Sequence, residues 1–258
     1  MFDHSLIQAF QALRAVVLLL ISAWVNGVRK AFFDLPRPDP AQVAVLDFRS
    51  SGGLPSGHAQ NAVVVWGYLA FRWQQGQGPM RSWTILVGAA LLVAAIGVSR
   101  LYLGAHFPAD VLAGWGLGLG LLLVTLLAVE RGAGSVSRLP LTGRFLVAGF
   151  LPLVLLLLYR RYDALPAAAT LLGAATGAVV ERGWIRFRTP ASLGPCLLRI
   201  VVGLSGALAI WAGLRGLLFP GTEAGRITRY ALLGLWVTAG APWVFRRLER
   251  GEKGGSTP

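Results

Sequence analysis

Residues 82–129 read SWTILVGAALLVAAIGVS, then RLYLGAHFPAD, then VLAGWGLGLGLLLVTLLAV: two uncharged runs of 18 and 19 residues, Ser82–Ser99 and Val111–Val129, around a short polar knot. A helix needs about 20 mostly apolar residues to cross a bilayer, so this stretch reads as two spans with the knot at one membrane face. Outward from it, residues 164–180 and 230–245 are uncharged runs of similar length. Four more runs are shorter or interrupted: 6–28 around Arg14, 59–71, 145–159, and 197–219 with Arg199 and Arg215. Arginines near span ends snorkel to the headgroups and do not break the count. The expected fold is all-α, a polytopic transmembrane helix bundle of about eight spans. Composition agrees: of 258 residues, 55% are apolar and only 14% charged, against about 25% charged in a soluble globule, and the mean hydropathy is +0.63.

Eight spans of about 20 residues leave no room for a separate soluble domain. The first apolar run follows Asp3 and His4, contains Arg14 and ends at Arg29-Lys30 without a small-residue cleavage site, so it is expected to be a span and not a removable signal peptide. A single cysteine, Cys196, rules out an intrachain disulfide or a thiolate metal cluster and reads as a small apolar residue. The net charge of +13 does not imply nucleic acid, because the arginines are scattered over short loops and form no continuous basic face. Assigning loops alternately to the two sides puts more arginines in those at 72–81, 131–144, 182–188 and 246–253 than in those at 29–58, 99–110, 160–161 and 226–229. By the positive-inside rule the first set is cytoplasmic, which leaves loops 29–58 and 99–110 outside.

Polar residues with unusual spacing fall before residue 111, so residues 1–130 read as a working core and 143–250 as an accessory four-span half. Arg131–Arg144, with its glycines, serines and a proline, is expected to be the connecting loop. Gly114, Gly116, Gly118 and Gly120 are expected to let another helix approach closely. Trp66, Trp73 and Trp83 fit interfacial anchors.

Three polar clusters fall on one expected side of the membrane. Lys30 and Arg37-Pro38 close span one; two cations seven residues apart can converge on an anion, though cations flanking a span also serve as interfacial anchors. Pro55-Ser56-Gly57-His58 opens span two. A Ser-Gly pair at a helix start can aim backbone N–H groups at an anion, and a histidine can deliver a proton at neutral pH. The third cluster is Ser99-Arg100, then His106, then Asp110. Pro108 suits the first turn of span four, which puts His106 just ahead of the helix and lets Asp110 reach back to it. A carboxylate bonded to one imidazole nitrogen fixes the tautomer and leaves the other nitrogen as a nucleophile or base, although Asp110 could instead serve simply as a helix cap. Arg100 adds a forked cation suited to phosphate oxygens. Two of the chain's three histidines thus sit with three cations and a carboxylate, a constellation for binding and cleaving a phosphate ester.

The three segments KAFFDLPRP (30–38), PSGH (55–58) and SRLYLGAHFPAD (99–110) resemble, in order and spacing, the three-part signature of the type 2 phosphatidic acid phosphatase (PAP2) superfamily, whose site is shared with vanadium haloperoxidases and bacterial acid phosphatases. The resemblance covers about residues 15–125; the later half is similar only to hydrophobic extensions of some bacterial members. It implies that Lys30, Arg37, Arg100 and the Ser56-Gly57 segment hold the phosphate, with His106 as nucleophile, Asp110 as its orienting partner and His58 as general acid. Membrane members carry further spans ahead of the first motif, whereas one apolar run precedes it here, so the chain is expected to start late or to lack N-terminal spans.

The expected reaction is a two-step displacement through a phosphohistidine. No metal and no cofactor is expected, since Asp34, Asp39, Asp47 and Asp110 form no ligand-like array. The expected partners are membrane lipids and a lipid phosphate or polyprenyl diphosphate substrate, in the bacterial inner membrane with the site on the extracytoplasmic side; no oligomeric state is implied. A vanadate-dependent haloperoxidase is disfavoured because those relatives are soluble. A transporter or structural partner that merely retains a phosphate site is the alternative from another class, but broken helices and repeated halves are not seen in the sequence.

Overall fold

The computed structural model describes residues 4–41, 44–46, 51–161, 164–187, 193–217 and 220–254, and all regular structure among them is helical. Asp47 and Arg49, both of the 29–58 loop, lie outside this set, as does the His4 side chain. In chain order the helices are α1 (His4–Phe33), α2 (Gly57–Gln74), α3 (Pro79–Tyr102), α4 (Pro108–Arg138), α5 (Leu141–Leu158), α6 (Ala164–Val180), α7 (Leu193–Leu217), α8 (Glu223–Leu235) and α9 (Ala241–Gly254). A π-helical turn, Glu181–Ile185, ends α6, and another, Trp236–Gly240, joins α8 to α9.

Helix boundaries follow local chemistry. Ser56 caps α2, its hydroxyl accepting from the Ala59 amide at 3.5 Å; Thr222 caps α8 in the same way through the Gly225 amide at 3.1 Å. Pro79 and Pro108 open α3 and α4, where a missing N–H costs nothing. Among the described residues, six helical segments are long and apolar enough to cross a membrane: Arg14–Phe33, Pro79–Tyr102, Pro108–Leu127, Leu141–Leu158, Ala164–Ile185 and Cys196–Gly216. The other two expected spans are helical as well, but α2 carries His58, Gln60 and Asn61, which lower its apolarity, and the second is interrupted by the π-helical turn at Trp236–Gly240.

The connecting loop expected at 131–144 is not there. Helix α4 continues to Arg138 and α5 starts at Leu141, leaving only Leu139 and Pro140 between them. Glycine and serine cost a helix about 1 kcal/mol or less each, too little to stop one already propagating from an apolar span, whereas Leu139 precedes Pro140, and the residue before a proline is driven out of the helical conformation.

Two compact units divide the chain. One comprises Ala9–Gly134 with Arg161–Ala164, the other Met1–Gln8, Ser135–Arg160 and Leu165–Pro258. In the first, Ala15 and Leu18 of α1, Val64 and Tyr68 of α2 and Leu122 of α4 form a buried apolar cluster. Two of the four alternating glycines do what their spacing predicts: a side chain at Gly114 or Gly118 would come 2.6 Å from the carbonyl of Ser56 or Gln60, so α4 packs directly on the backbone of α2. Gly116 and Gly120 face open space. In the second unit, the glycines of α6 and α8 meet: a side chain at Gly173 would strike the Ala231 carbonyl, and one at Gly234 the Thr170 carbonyl. There Arg246 donates to the carbonyls of Trp184 and Ile185, and Arg199 lies over the rings of Phe187 and Phe245.

Candidate active site

The expected site residues come from three separate stretches of the first unit, and all but Ser56 and Asp110 line one cavity of about 430 Å³: Lys30 from the last turn of α1, Arg37 beyond it, Gly57 and His58 from the start of α2, Arg100 from the end of α3, and His106 from the loop before α4. The loop carrying His106 is tightly turned. Gly104 adopts a left-handed φ of +62°, and a side chain there would collide with the backbone of Ala44 and Val45.

His106 and Asp110 are both buried, at 5% and 4% exposure. The Asp110 Oδ2 accepts from the Phe107 amide at 2.9 Å and faces the Nδ1 of His106 at 3.3 Å. A carboxylate can only accept, so the imidazole proton resides on Nδ1 and the lone pair on Nε2. That lone pair faces Nη1 of Arg37 at 3.2 Å. Burial holds the His106 imidazole below the ordinary histidine value; the hydrogen bond to Asp110 pushes the other way, while the Arg37 and Lys30 charges add to the lowering. The result is a neutral imidazole whose basic nitrogen points at the cations.

Arg37 is the hub. Its Nε donates to the Ser51 carbonyl at 2.7 Å, Nη1 to the Ala105 carbonyl at 2.7 Å, and Nη2 to the Ser51 hydroxyl and the Gly52 carbonyl at 3.3 Å each. One guanidinium thereby ties the first cluster to the His106 loop and to the segment ahead of the second. The Ser51-Gly52-Gly53 segment is therefore a wedge. A side chain on Gly53 would come 3.0 Å from the Pro36 carbonyl and 3.1 Å from Asp110 Oδ2, and its amide donates to the Leu35 carbonyl at 2.8 Å. Arg100 donates from Nε and Nη2 to the Ser99 hydroxyl at 3.2 and 3.1 Å, and that hydroxyl itself donates to the Ile96 carbonyl at 2.7 Å.

Ser56 stands apart. It is fully buried, its hydroxyl caps α2, and its amide donates to the Asp110 carbonyl at 2.9 Å, which links the second cluster to the third. At this helix start the Gly57 amide, which has no acceptor within the helix, can meet an anion. Trp66 lines the cavity, whereas Trp73 and Trp83 are exposed. Among the described residues no three His, Cys, Asp or Glu side chains gather.

Sequence reasoning missed the support beneath the site. Asn26 donates from Nδ2 to the Pro55 carbonyl at 3.2 Å and to Gln60 Oε1 at 2.8 Å. Gln60 Nε2 donates to the Ser22 carbonyl and hydroxyl, both at 2.8 Å, and the Ser22 hydroxyl donates to Asn61 Oδ1 at 2.7 Å. The available signal was four amide and hydroxyl side chains inside runs otherwise fit to span a bilayer.

Two family models match the chain: the PAP2 superfamily over residues 11–132, and the PAP2 superfamily phosphatase transmembrane extension over residues 165–253. Phosphatidylglycerophosphatase B of Bacillus subtilis is 37% identical over 98 residues, which is 37% of this chain and 46% of the relative. A PA-phosphatase related-family protein of Dictyostelium discoideum is 25% identical over 148 residues, 46% of this chain and 40% of the relative. In both cases the match spans less than half of the relative's length. No solved structure matches the chain.

Proposed function

This chain belongs to the PAP2 superfamily, and on that footing we propose that it is an integral membrane phosphatase that removes phosphate from a lipid phosphate through a phosphohistidine on His106. One observation carries the reading: the His106 imidazole is held between Asp110 at Nδ1 and Arg37 at Nε2, on the wall of a cavity that Lys30, His58 and Arg100 also line. The six apolar helices and the transmembrane extension support an enzyme that meets its substrate at the membrane.

In the first step a phosphate oxygen takes over the Arg37 N–H that now faces Nε2, which releases the lone pair for attack on phosphorus. His58 gives its proton to the leaving oxygen, and the P–O bond breaks as the P–N bond forms. In the second step His58, now neutral, takes a proton from water as the oxygen attacks phosphorus; phosphate departs and His106 is regenerated. Asp110 offsets the positive charge on the phosphorylated imidazole. Lys30, Arg37, Arg100 and the Gly57 amide meet the equatorial oxygens, where one such donor commonly contributes about 3–4 kcal/mol. These fixed charges take the place of a metal ion in the proposed chemistry.

The substrate proposed is a lipid with a phosphate at its head, of the phosphatidylglycerophosphate, phosphatidate or polyprenyl diphosphate kind; the name of the Bacillus relative supports the first. The arginine asymmetry of the loops supports a site on the extracytoplasmic side of a bacterial inner membrane. The test is replacement of His106 by alanine. Phosphate release from a lipid phosphate should disappear while the protein stays inserted and monodisperse; retention of more than a few per cent of the rate would overturn the assignment.

A further inference from the structure

The hydrogen-bond chain beneath the site has a direction, and its last member faces the cavity. Two backbone carbonyls set that direction. Asn26 donates to the Pro55 carbonyl and Gln60 to the Ser22 carbonyl, so neither amide can be reversed without opposing a carbonyl to a carbonyl. Gln60 also donates to the Ser22 hydroxyl, whose own proton then goes to Asn61 Oδ1. Ser22 is 1% exposed, so turning Asn61 around would strand that proton in a buried place. Asn61 therefore presents its oxygen to Ser22, and its N–H₂ group has no acceptor among the described residues.

Asn61 lines the cavity together with His58. It lies three residues along α2 from His58, on the same side of the helix and about 4.5 Å farther along the axis. Past it the wall becomes apolar, with Ala62, Val65, Trp66 and Ile96. A leaving group protonated by His58 has its next few atoms beside Asn61 before its hydrocarbon reaches that apolar stretch.

We propose that Asn61 is a specificity-determining residue whose side-chain amide donates to an oxygen of the leaving group a few bonds from the scissile oxygen. The enzyme then favours esters that carry such an acceptor over a plain alkyl phosphate. Two sources share this chemistry: the glycerol oxygens of a glycerophosphate head, and the inner phosphate of a diphosphate. The inference rests on the phosphatase reading above and adds to it the part of the substrate that is recognised.

The experiment compares kcat/KM of the full chain in mixed micelles for phosphatidylglycerophosphate, farnesyl diphosphate and dodecyl phosphate, the last without an acceptor. Wild type should favour at least one of the first two over dodecyl phosphate. Asn61→Leu should reduce that preference about tenfold, the effect of one well-formed hydrogen bond. Asn61→Ala also removes the donor, adds no charge and is a good helix former, and should reduce it similarly, which covers the case in which the leucine variant does not insert. The substrate whose advantage collapses identifies the source of the acceptor. A merely structural Asn61 would lower all three rates in parallel and leave the ratios unchanged; that result, or a wild type without preference, overturns the inference and leaves the phosphatase reading standing. A wild type that releases phosphate from none of the three removes the phosphatase reading, and this inference with it.

Discussion

Replacing Arg37 with lysine keeps the charge and removes the geometry. The guanidinium reaches the carbonyls of Ser51, Gly52 and Ala105, the Ser51 hydroxyl and His106 Nε2 within 2.7–3.3 Å. An ammonium concentrates its three protons at one point and cannot serve the Ser51-Gly52 segment and the Ala105 carbonyl together. Ala105 is 2% exposed, and a buried acceptor left without a donor costs about 1–3 kcal/mol. Loss of a donor aimed at the reacting phosphate costs about 3–4 kcal/mol of the barrier, or 10²–10³ in kcat. Arg37→Lys should therefore lower kcat/KM for phosphatidylglycerophosphate by about 10²–10³, and lower Tm by several degrees, because the loop holding His106 loses its tie. Initial rates of phosphate release in mixed micelles, with thermal unfolding of the same samples, measure both. A lysine variant within about threefold of wild type would show that charge alone suffices and would refute the hub role derived from this geometry.

The acid limb of kcat/KM should lie below about 6.5, the ordinary histidine value, because the proposed nucleophile is the neutral imidazole and burial makes His106 lose its proton at a lower pH than usual; a limb at or above that value in a pH–rate profile would contradict the assignment. The same shift links to stability with a definite sign. The unfolded chain takes up the His106 proton more readily than the folded one, so this contribution is intact above the unfolded pKa and is lost as pH falls below it, readable as a drop in Tm that His106→Gln abolishes. Gly114→Ala should destabilise by about 1–3 kcal/mol and impair catalysis, since its Cβ would come 2.6 Å from the Ser56 carbonyl, whereas Gly116→Ala, facing open space, should be neutral or gain up to about 1 kcal/mol; equal effects in thermal melts would refute the α2–α4 packing. Activity should persist in excess EDTA and be blocked competitively by vanadate, a phosphate mimic; loss of activity in EDTA that magnesium restores would contradict catalysis by fixed cations alone.

The parts of the fold legible in the sequence were those governed by short-range chemistry. Pro108 marks the start of α4, His106 precedes it and Asp110 reaches back, as four-residue spacing dictates. Long uncharged runs named the helices, but not where they stop: α4 runs on to Arg138 because glycine and serine are weak breakers inside a propagating helix. The gathering of Lys30, Arg37, His58, Arg100 and His106 on one cavity could be expected from motif resemblance, yet what holds them there was hidden. Ser51-Gly52-Gly53 reads as a flexible linker in one dimension and is a wedge in three, gripped by Arg37 and pressed on Asp110. Ser56 looked like a phosphate ligand and is a buried cap, since a serine before a helix has the same appearance in either role. Asn26, Gln60 and Asn61 were visible as polar residues in apolar runs, but their hydrogen-bond order depends on the helix register of α1 against α2, which no local pattern encodes.

The central claim, that His106 carries the phosphoryl group, is tested most directly by trapping it. A His58→Ala variant given a labelled aryl phosphate, whose leaving group needs no protonation, should form the intermediate and hydrolyse it slowly. Alkaline quenching, under which phosphohistidine survives, followed by peptide mapping should then find the label on His106. Label on another residue, or turnover with no trapped label in that variant, would contradict the mechanism.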